Sequence, residues 1–270
     1  MQKFRGKTGD TMADKNYLHT AYANSADGTD GFTTVYPNLN LLDGTKDFSG
    51  DWEHISGYDN DGTYKGLAVK KRTSPWGGIY KTFTAPKSGV YTFSAYVKSS
   101  GSSANITRYV EASAGHLIPE KFMGNNFDWL RDSLSVVLKA KDTISVRYEI
   151  TGSGSESALW AAGHKWEPGS IVTPYMQSAS EVTTADWPKY VGTYVDTNPV
   201  SSTVSSKYDW DEMKYRVYLD GTPVGGSKLL SFDLENLKAG TSYNVQVNQT
   251  NGNDESDKSE SVAFKTTLPK

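Results

Sequence analysis

The sequence predicts an all-β protein built around a two-sheet jelly-roll sandwich, and three observations lead there. No stretch sustains a helical pattern: the best, Leu117 to Asp132, is broken by Pro119 and Gly124. Short runs alternate apolar and polar residues at the two-residue period of a strand. The apolar mass is largely aromatic. Leu, Ile, Val and Phe make up only 51 of 270 residues, while 17 Tyr and 7 Trp supply the rest of a core. Low aliphatic content signals disorder only with a large net charge, and here 28 basic and 31 acidic residues leave −3.

Taken in order, residues 1–15 read as a linker or arm. Tyr17 to Ala23 is a strand, followed by the turn-rich Asn24 to Gly31. Strands follow at 67–72, 78–84, 91–97, 105–112, 134–139, 143–150 and 158–162, separated by turn signals at 86–89, 99–103 and 152–154. About eight short strands at this spacing predict the jelly roll over 38–177. Another strand is expected around Tyr190 to Val195. Neither 16–37 nor 178–213 can bury a core alone; if they pair, the sandwich is an insertion in one small β module. Tyr215, Val217 and Leu219 then alternate before Asp220-Gly221, and Tyr243, Val245 and Val247 alternate later. Asn248 to Ser259 reads as a hairpin loop before a last strand at Val262 and Phe264. This 214–270 unit is short for an independent domain and is expected to lean on neighbours.

Several function classes drop out. No run approaches the roughly 18 apolar residues of a membrane span, and Met1 to Asp10 lacks the apolar region of a secretory signal. The absence of Cys removes disulfides and thiolate chemistry. Balanced charge, with Lys70-Lys71-Arg72 as the densest basic cluster, argues against nucleic acid. There is no Gly-x-Ser-x-Gly and no His-Glu-x-x-His, and His19, His54, His116 and His164 are scattered without metal-ligand spacing. The acids Asp209, Asp211 and Glu212 read as a solvated turn; a glycosidase pair, whose members meet only in space, stays open. Asp59-Asn60-Asp61-Gly62 and Asp27 to Gly31 look like calcium loops but lack the full ligand spacing, so they read as turns. No cofactor is expected, with a structural calcium as the minority alternative.

Specific stretches resemble known material. Tyr17 to Gly28, continued by Tyr190 to Asp196 and Lys207 to Trp210, is similar to a module of tail and baseplate proteins of siphophages of Gram-positive hosts. Asn40 to Thr45, Ala85 to Lys98 and Ala162 to Ser170 resemble the carbohydrate-binding modules of those proteins, with Trp166 where a Leu is usual. Leu237 to Val245, with Glu255, Ser256 and Ser259, resembles the second half of a fibronectin type III domain. Gly6 and Gly9 echo a collagen-like linker. Nearly the whole chain thus resembles the accessory baseplate proteins of lactococcal siphophages. The resemblance implies a jelly-roll carbohydrate-binding module (38–177) inserted in a small attachment module (16–37 and 178–213), followed by a partial fibronectin type III-like unit (214–270). It implies a non-enzymatic component of the virion's tail-tip baseplate. Its partners would be bacterial cell-wall saccharide and other baseplate proteins, both upper scaffold and receptor-binding proteins. A cell-wall glycan hydrolase and a purely structural decoration are the alternatives.

A sugar offers apolar C–H faces and a hydroxyl edge, so its site needs an aromatic plane beside polar side chains on a rigid sheet. Two loop-rich stretches have that composition: Trp52 to Asp61, joined by Arg72 and Trp76, and His116 to Trp129. Trp52, Trp129, Trp160 and Trp166 are expected in the core. Trp76, between Pro75 and two glycines, is expected to face solvent. The candidate carbohydrate-binding residues are therefore Trp76, His54, Tyr58, His116 and Arg72, with no catalytic or metal-ligating residue.

Overall fold

The structure, a computed structural model, describes residues 16–101, 105–113, 118–152, 156–235 and 237–267. The expected arm over 1–15 and the candidate His116 lie outside the described residues. Among the described residues there is no α-helix, only three single-turn 3-10 helices. The strands are β1 (Tyr17–Ala23), β2 (Phe32–Thr33), β3 (Asp59–Tyr64), β4 (Leu67–Arg72), β5 (Phe83–Thr84), β6 (Gly89–Ser100), β7 (Asn105–Ala112), β8 (Lys121–Gly124) and β9 (Phe127–Leu138). They continue with β10 (Thr143–Thr151), β11 (Ala158–Pro168), β12 (Tyr190–Asp196), β13 (Asp209–Glu212), β14 (Tyr215–Leu219), β15 (Thr222–Ser227), β16 (Ser242–Asn251), β17 (Asp254–Glu255) and β18 (Val262–Lys265). The chain folds as two compact units: Pro37–Asp186, and the residues up to Tyr36 together with Trp187–Lys270.

Unit 37–186 is a jelly-roll β-sandwich of two sheets, ordered β5-β10-β7-β8 and β3-β4-β11-β6-β9. Alternation decides which side chains meet between them. Tyr91, Phe93, Ala95 and Val97 of β6 face Ile144, Val146, Tyr148 and Ile150 of β10, and all eight are buried in one cluster with Leu159 and Trp166. Trp166 stacks on Phe83 with ring centroids 4.9 Å apart. Each such aliphatic or Phe side chain contributes roughly 1.5–3 kcal/mol by leaving water. At one edge the buried Asp132 of β9 ties the sheets together. It accepts from Arg108 (2.8 Å), Lys121 (2.6 Å) and the Tyr148 hydroxyl (3.0 Å) of the other sheet.

The buried Asn40 closes this unit. Its amide donates to Thr45 Oγ1 (2.8 Å) and His164 O (2.9 Å) and accepts from Leu42 N and Trp166 N, both at 3.0 Å. A parallel bridge between Asn40 and Ser178 brings the entering and leaving chain side by side. After β11 the chain returns as a strap over the outer face of the larger sheet. Lys165 Nζ reaches Pro174 O (2.7 Å), Arg131 Nη2 reaches Thr173 O (2.6 Å), and Glu167 accepts from Thr173 N (3.0 Å).

In the other unit, β1 pairs with β12 from Tyr17↔Asp196 to Ala23↔Tyr190, in a sheet ordered β13-β12-β1-β2. Trp210 lies flat on this sheet, and only glycine fits beneath it: a Cβ at Gly28 would stand 2.6 Å from the indole, and one at Gly192 2.8 Å. The C-terminal sheet is ordered β15-β14-β16-β17, with β18 beside β16. The two sheets pack as one body. Arg216 of β14 donates to the Tyr36 hydroxyl (2.9 Å), pairs with Glu255, and lies 5.1 Å from the Trp187 ring.

The structure differs from the sequence reading where strands carry no apolar alternation. β3 is exposed along most of its length, so it has the composition of a turn; it pairs with β4 as an edge strand, with a bulge between Asn60 and Thr63. β9 begins inside the stretch read as a loop, β11 continues to Pro168, and β16 extends to Asn251 into the expected hairpin loop. The strand expected at 78–84 shrinks to Phe83–Thr84, because Gly78 and Ile79 are held by side chains instead, Glu149 Oε1 and the Tyr58 hydroxyl.

Candidate functional site

Four of the five candidate residues gather at the loop rim where β4 ends. Arg72 donates to three carbonyls, Ser74 (2.8 Å), Gly57 (3.0 Å) and Pro75 (3.3 Å), and its guanidinium lies 5.5 Å from the Tyr58 ring. Gly57 leaves room for it: a Cβ there would stand 2.1 Å from Nη1. Tyr58 is buried, its hydroxyl accepts from Ile79 N (3.1 Å), and burial pushes its pKa up to about 12. Tyr58 and Arg72, both candidate saccharide-binding residues, use these polar atoms to brace the loop.

Trp76 is different. Its backbone is left-handed (φ 59), as is that of Gly77, and its N–H donates to Ile150 O at 3.1 Å. Gly78 beside it has no room for a side chain, with a Cβ position 2.5 Å from Tyr148 O. The turn is thus seated on β10 and braced by Arg72, yet the Trp76 side chain is turned out, 54% exposed. A bulky residue at positive φ is strained, and such strain persists only where the surroundings hold it. His54, also exposed and at φ 60, precedes the 3-10 turn Ile55–Gly57 that Arg72 braces, with its ring 5.9 Å from Tyr80.

A second aromatic surface lies on the outer face of the larger sheet, beyond the strap. Trp160 is in register with Lys71 of β4 on one side and Lys98 of β6 on the other. Their ammonium groups sit 5.1 and 5.9 Å from its ring. Trp160 Nε1 donates to Asp61, Lys71 pairs with Asp61 at 3.8 Å, and Lys98 pairs with Asp128 at 3.3 Å. Next along the face, Tyr64 stacks on Trp129 at 4.2 Å with 12° between the planes, and Tyr96 meets Tyr64 edge-on at 5.3 Å. Tyr64 and Trp129 belong to opposite edge strands, which a flat sheet would hold about 19 Å apart at ~4.8 Å per strand. The tip of the β3–β4 hairpin therefore leans across the face. Gly163 allows this, since a Cβ there would stand 2.6 Å from Leu67 Cδ1.

The core expectation holds for Trp52 and Trp166, which are buried, and only in part for Trp129 and Trp160, which are half-buried on this outer face against Leu67, Val69 and Ala162. Sequence reasoning missed the group for a definite reason. The alternation of β11 puts Trp160 and Ala162 opposite to Leu159 and Ala161, but the bulge between Ala162 and Lys165 shifts the phase, so Trp166 points in while Trp160 points out.

The carboxyls with displaced pKa values, Asp27, Asp43, Asp47, Asp128, Asp186 and Asp196, all move down. For Asp128 the causes are the Trp129 N–H and then Lys98. Asp27 closes a turn on Thr29 (N–H at 3.1 Å, hydroxyl at 2.7 Å), and Asp61 is engaged by Trp160 and Lys71. Among the described residues no group of three or more His, Asp or Glu could hold a metal ion.

Residues 188–246 match the family described as Minor structural protein 5-like, C-terminal domain, a stretch that lies within the second unit. No curated protein matches the sequence. Among solved structures, the chain is 49% identical, with a TM-score of 0.74, to the tripod (BppUct-A-L) from the baseplate of bacteriophage Tuc2009, over 96% of this chain and 100% of that one. A family 35 carbohydrate binding module from Clostridium thermocellum aligns with 42% of this chain and 89% of its own, at 13% identity and a TM-score of 0.32. The CBM22-1 xylan-binding domain of Paenibacillus barcinonensis Xyn10C aligns with 51% of this chain and 99% of its own, at 16% identity and a TM-score of 0.37.

Proposed function

Because the chain belongs to the baseplate proteins of lactococcal siphophages, and so to the virion baseplate, we propose that unit 37–186 binds host cell-surface saccharide and that the other unit docks the protein on the baseplate scaffold. The role is non-catalytic. The observation that carries the binding reading is the rim turn. Trp76 is the one tryptophan among the exposed large hydrophobic residues described, and it is fixed by a left-handed backbone, a β10 carbonyl and the Arg72 brace. A rigid, outward aromatic plane suits the C–H face of a sugar and loses little freedom on binding. His54 is its expected polar neighbour.

For docking, Leu18 and Val195 are cross-strand partners on β1 and β12, both more than half exposed, with exposed Val200 and Val204 following β12. This apolar exposure supports a partner surface on the module. The rings of Tyr36 and Trp187, the residues flanking unit 37–186, stack at 5.7 Å. A short Gly-Ser linker joining them should therefore delete the sandwich and leave scaffold co-purification intact while abolishing cell binding.

The binding reading is tested by Trp76→Ala in the full chain, titrated against saccharide released from host cell walls. Monovalent affinity should fall at least tenfold, with a melting temperature close to that of the parent. Whole-particle adsorption should change less, because many copies raise avidity. Unchanged affinity would overturn the rim as the site.

A further inference from the structure

We propose that the open half of the outer sheet face, centred on Trp160, is a second saccharide-binding surface distinct from the Trp76 rim, and that it takes a neutral saccharide chain. The inference rests on the saccharide-binding reading above but concerns different residues. The outer face is divided in two. Over one half the strap is sealed down by the buried pair Lys165 and Glu167 and by the Arg131 contact to Thr173. Over the other half the strap contributes Tyr175, which packs with Trp160, Tyr64, Trp129 and Tyr96 against buried Leu67, Val69 and Ala162, and these aromatic residues are left half-buried. A tryptophan serving only the core would be placed as Trp166 is, with 0% exposed.

The polar groups define the ligand class. Trp160 is pinned through its N–H to Asp61, so its ring is presented at a fixed angle. On each side stands an ammonium–carboxylate pair, Lys71 with Asp61 and Lys98 with Asp128, all four side chains at least one-third exposed. Such a pair offers a donor and an acceptor side by side, which is what adjacent sugar hydroxyls require, since each is both donor and acceptor. The exposed charges also balance; Arg131, 5.4 Å from the Tyr96 ring, is turned under the strap onto Thr173 O and Ser94 Oγ. Lys65, beside the Tyr64 and Tyr96 rings, adds a third cation, and exposed Asp59, in register with Lys71, adds a third anion. A surface whose exposed charges balance has little field to select a phosphate or carboxylate, and it penalises an unpaired ionic group as it dehydrates. The row from Asp61 through Trp160 to Asp128 crosses the sheet from edge to edge, so more than one sugar residue fits along it.

The test uses the full chain with 15N-labelled tryptophan, whose seven indole N–H signals are assigned by single Trp→Phe variants. Oligosaccharides released from host cell walls are separated by anion exchange into neutral and anionic fractions, and each is titrated. The neutral fraction should shift the Trp160 and Trp129 signals. Trp160→Ala should weaken that response at least tenfold and leave the Trp76 response in place. Asp128→Ala, at a side chain 85% exposed and so with little bearing on folding, should weaken it severalfold. Shifts confined to Trp76 would overturn the second surface and leave the rim reading standing. Shifts at Trp160 with the anionic fraction alone would overturn the neutral class. No shift at any indole with either fraction would overturn both.

Discussion

Replacing Asn40 with Ala should unfold unit 37–186 at a far lower denaturant concentration, although Asn40 touches no candidate binding residue. Its side chain makes four buried hydrogen bonds, two given and two accepted, to Thr45, His164, Leu42 and Trp166. At a net ~1 kcal/mol each, their loss amounts to about 4 kcal/mol. The loss falls at one place, because Trp166 N, Leu42 N and His164 O would be left buried without that partner. Asn40→Asp keeps both accepted bonds but turns the amide nitrogen into an oxygen facing His164 O, so it should be damaging too. The assay is urea unfolding of the full chain followed by near-UV circular dichroism, where Trp166 stacked on Phe83 should report this unit. A loss below about 1 kcal/mol for Asn40→Ala would refute the reasoning, since it would mean water satisfies those groups as well as the amide does.

Three further outcomes follow from other buried groups. His164 is fully buried among Phe48, Trp52, Phe93 and Tyr148, and desolvation holds its pKa at about 4. Above pH 6.5 both folded and unfolded chains carry it neutral. As pH falls from 6.5 to 4 the unfolded chain binds the proton first, so stability should drop about 1.4 kcal/mol per pH unit and then level off. In denaturant titrations across that window His164→Leu should flatten the slope; an unchanged slope would show that another group sets it. Lys165→Met, which strands buried Glu167, should cost ~3–5 kcal/mol, and adding Glu167→Leu should cost less than the two single changes summed; strict additivity in chemical unfolding would refute the coupling. Gly163→Ala should cost about 1–2 kcal/mol for its left-handed backbone alone. It would also push Leu67 and Tyr96 apart, so near-UV dichroism from the Tyr64–Trp129 stack should weaken; an unaltered spectrum would mean the hairpin does not rely on that glycine.

Most of the sandwich was legible because its inner strands obey one rule. Thr143 to Ile150 and Tyr91 to Val97 alternate without interruption, and both lie where the period placed them. β1 was read to the residue, since Tyr17 to Ala23 is bounded by turn-forming sequence. Illegibility set in at edges. β3 buries almost nothing, so natural alternation had no reason to appear in it, and Asp59 to Gly62 carried the composition of a turn because a bulge lies there. The stretches that carried the family resemblance proved architectural: Asn40 and the His164-to-Pro168 segment are the amide clamp, the buried ion pair and the stacked Trp.

The same asymmetry explains why the two proposed binding surfaces were only half visible. Trp76 could be read from local chemistry, because a Trp between Pro75 and Gly77-Gly78 sits on a turn and has no strand neighbour to cover it. Arg72 and Tyr58 carried the same kind of signal, and three carbonyls and one ring within reach also make them the frame that holds the turn, a relation fixed by contacts 15 and 21 residues away. Trp160 illustrates the opposite limit. Its type and strand position are those of a core residue, and only the phase shift at the Ala162–Lys165 bulge sends it outward, beside acids supplied by β3 and β9 from the two edges of the sheet. An alternation pattern tells which residues share a face but not which face is covered. Here the covering is done by the strap, through Thr173, Pro174 and Tyr175, and it leaves Trp160 half-buried.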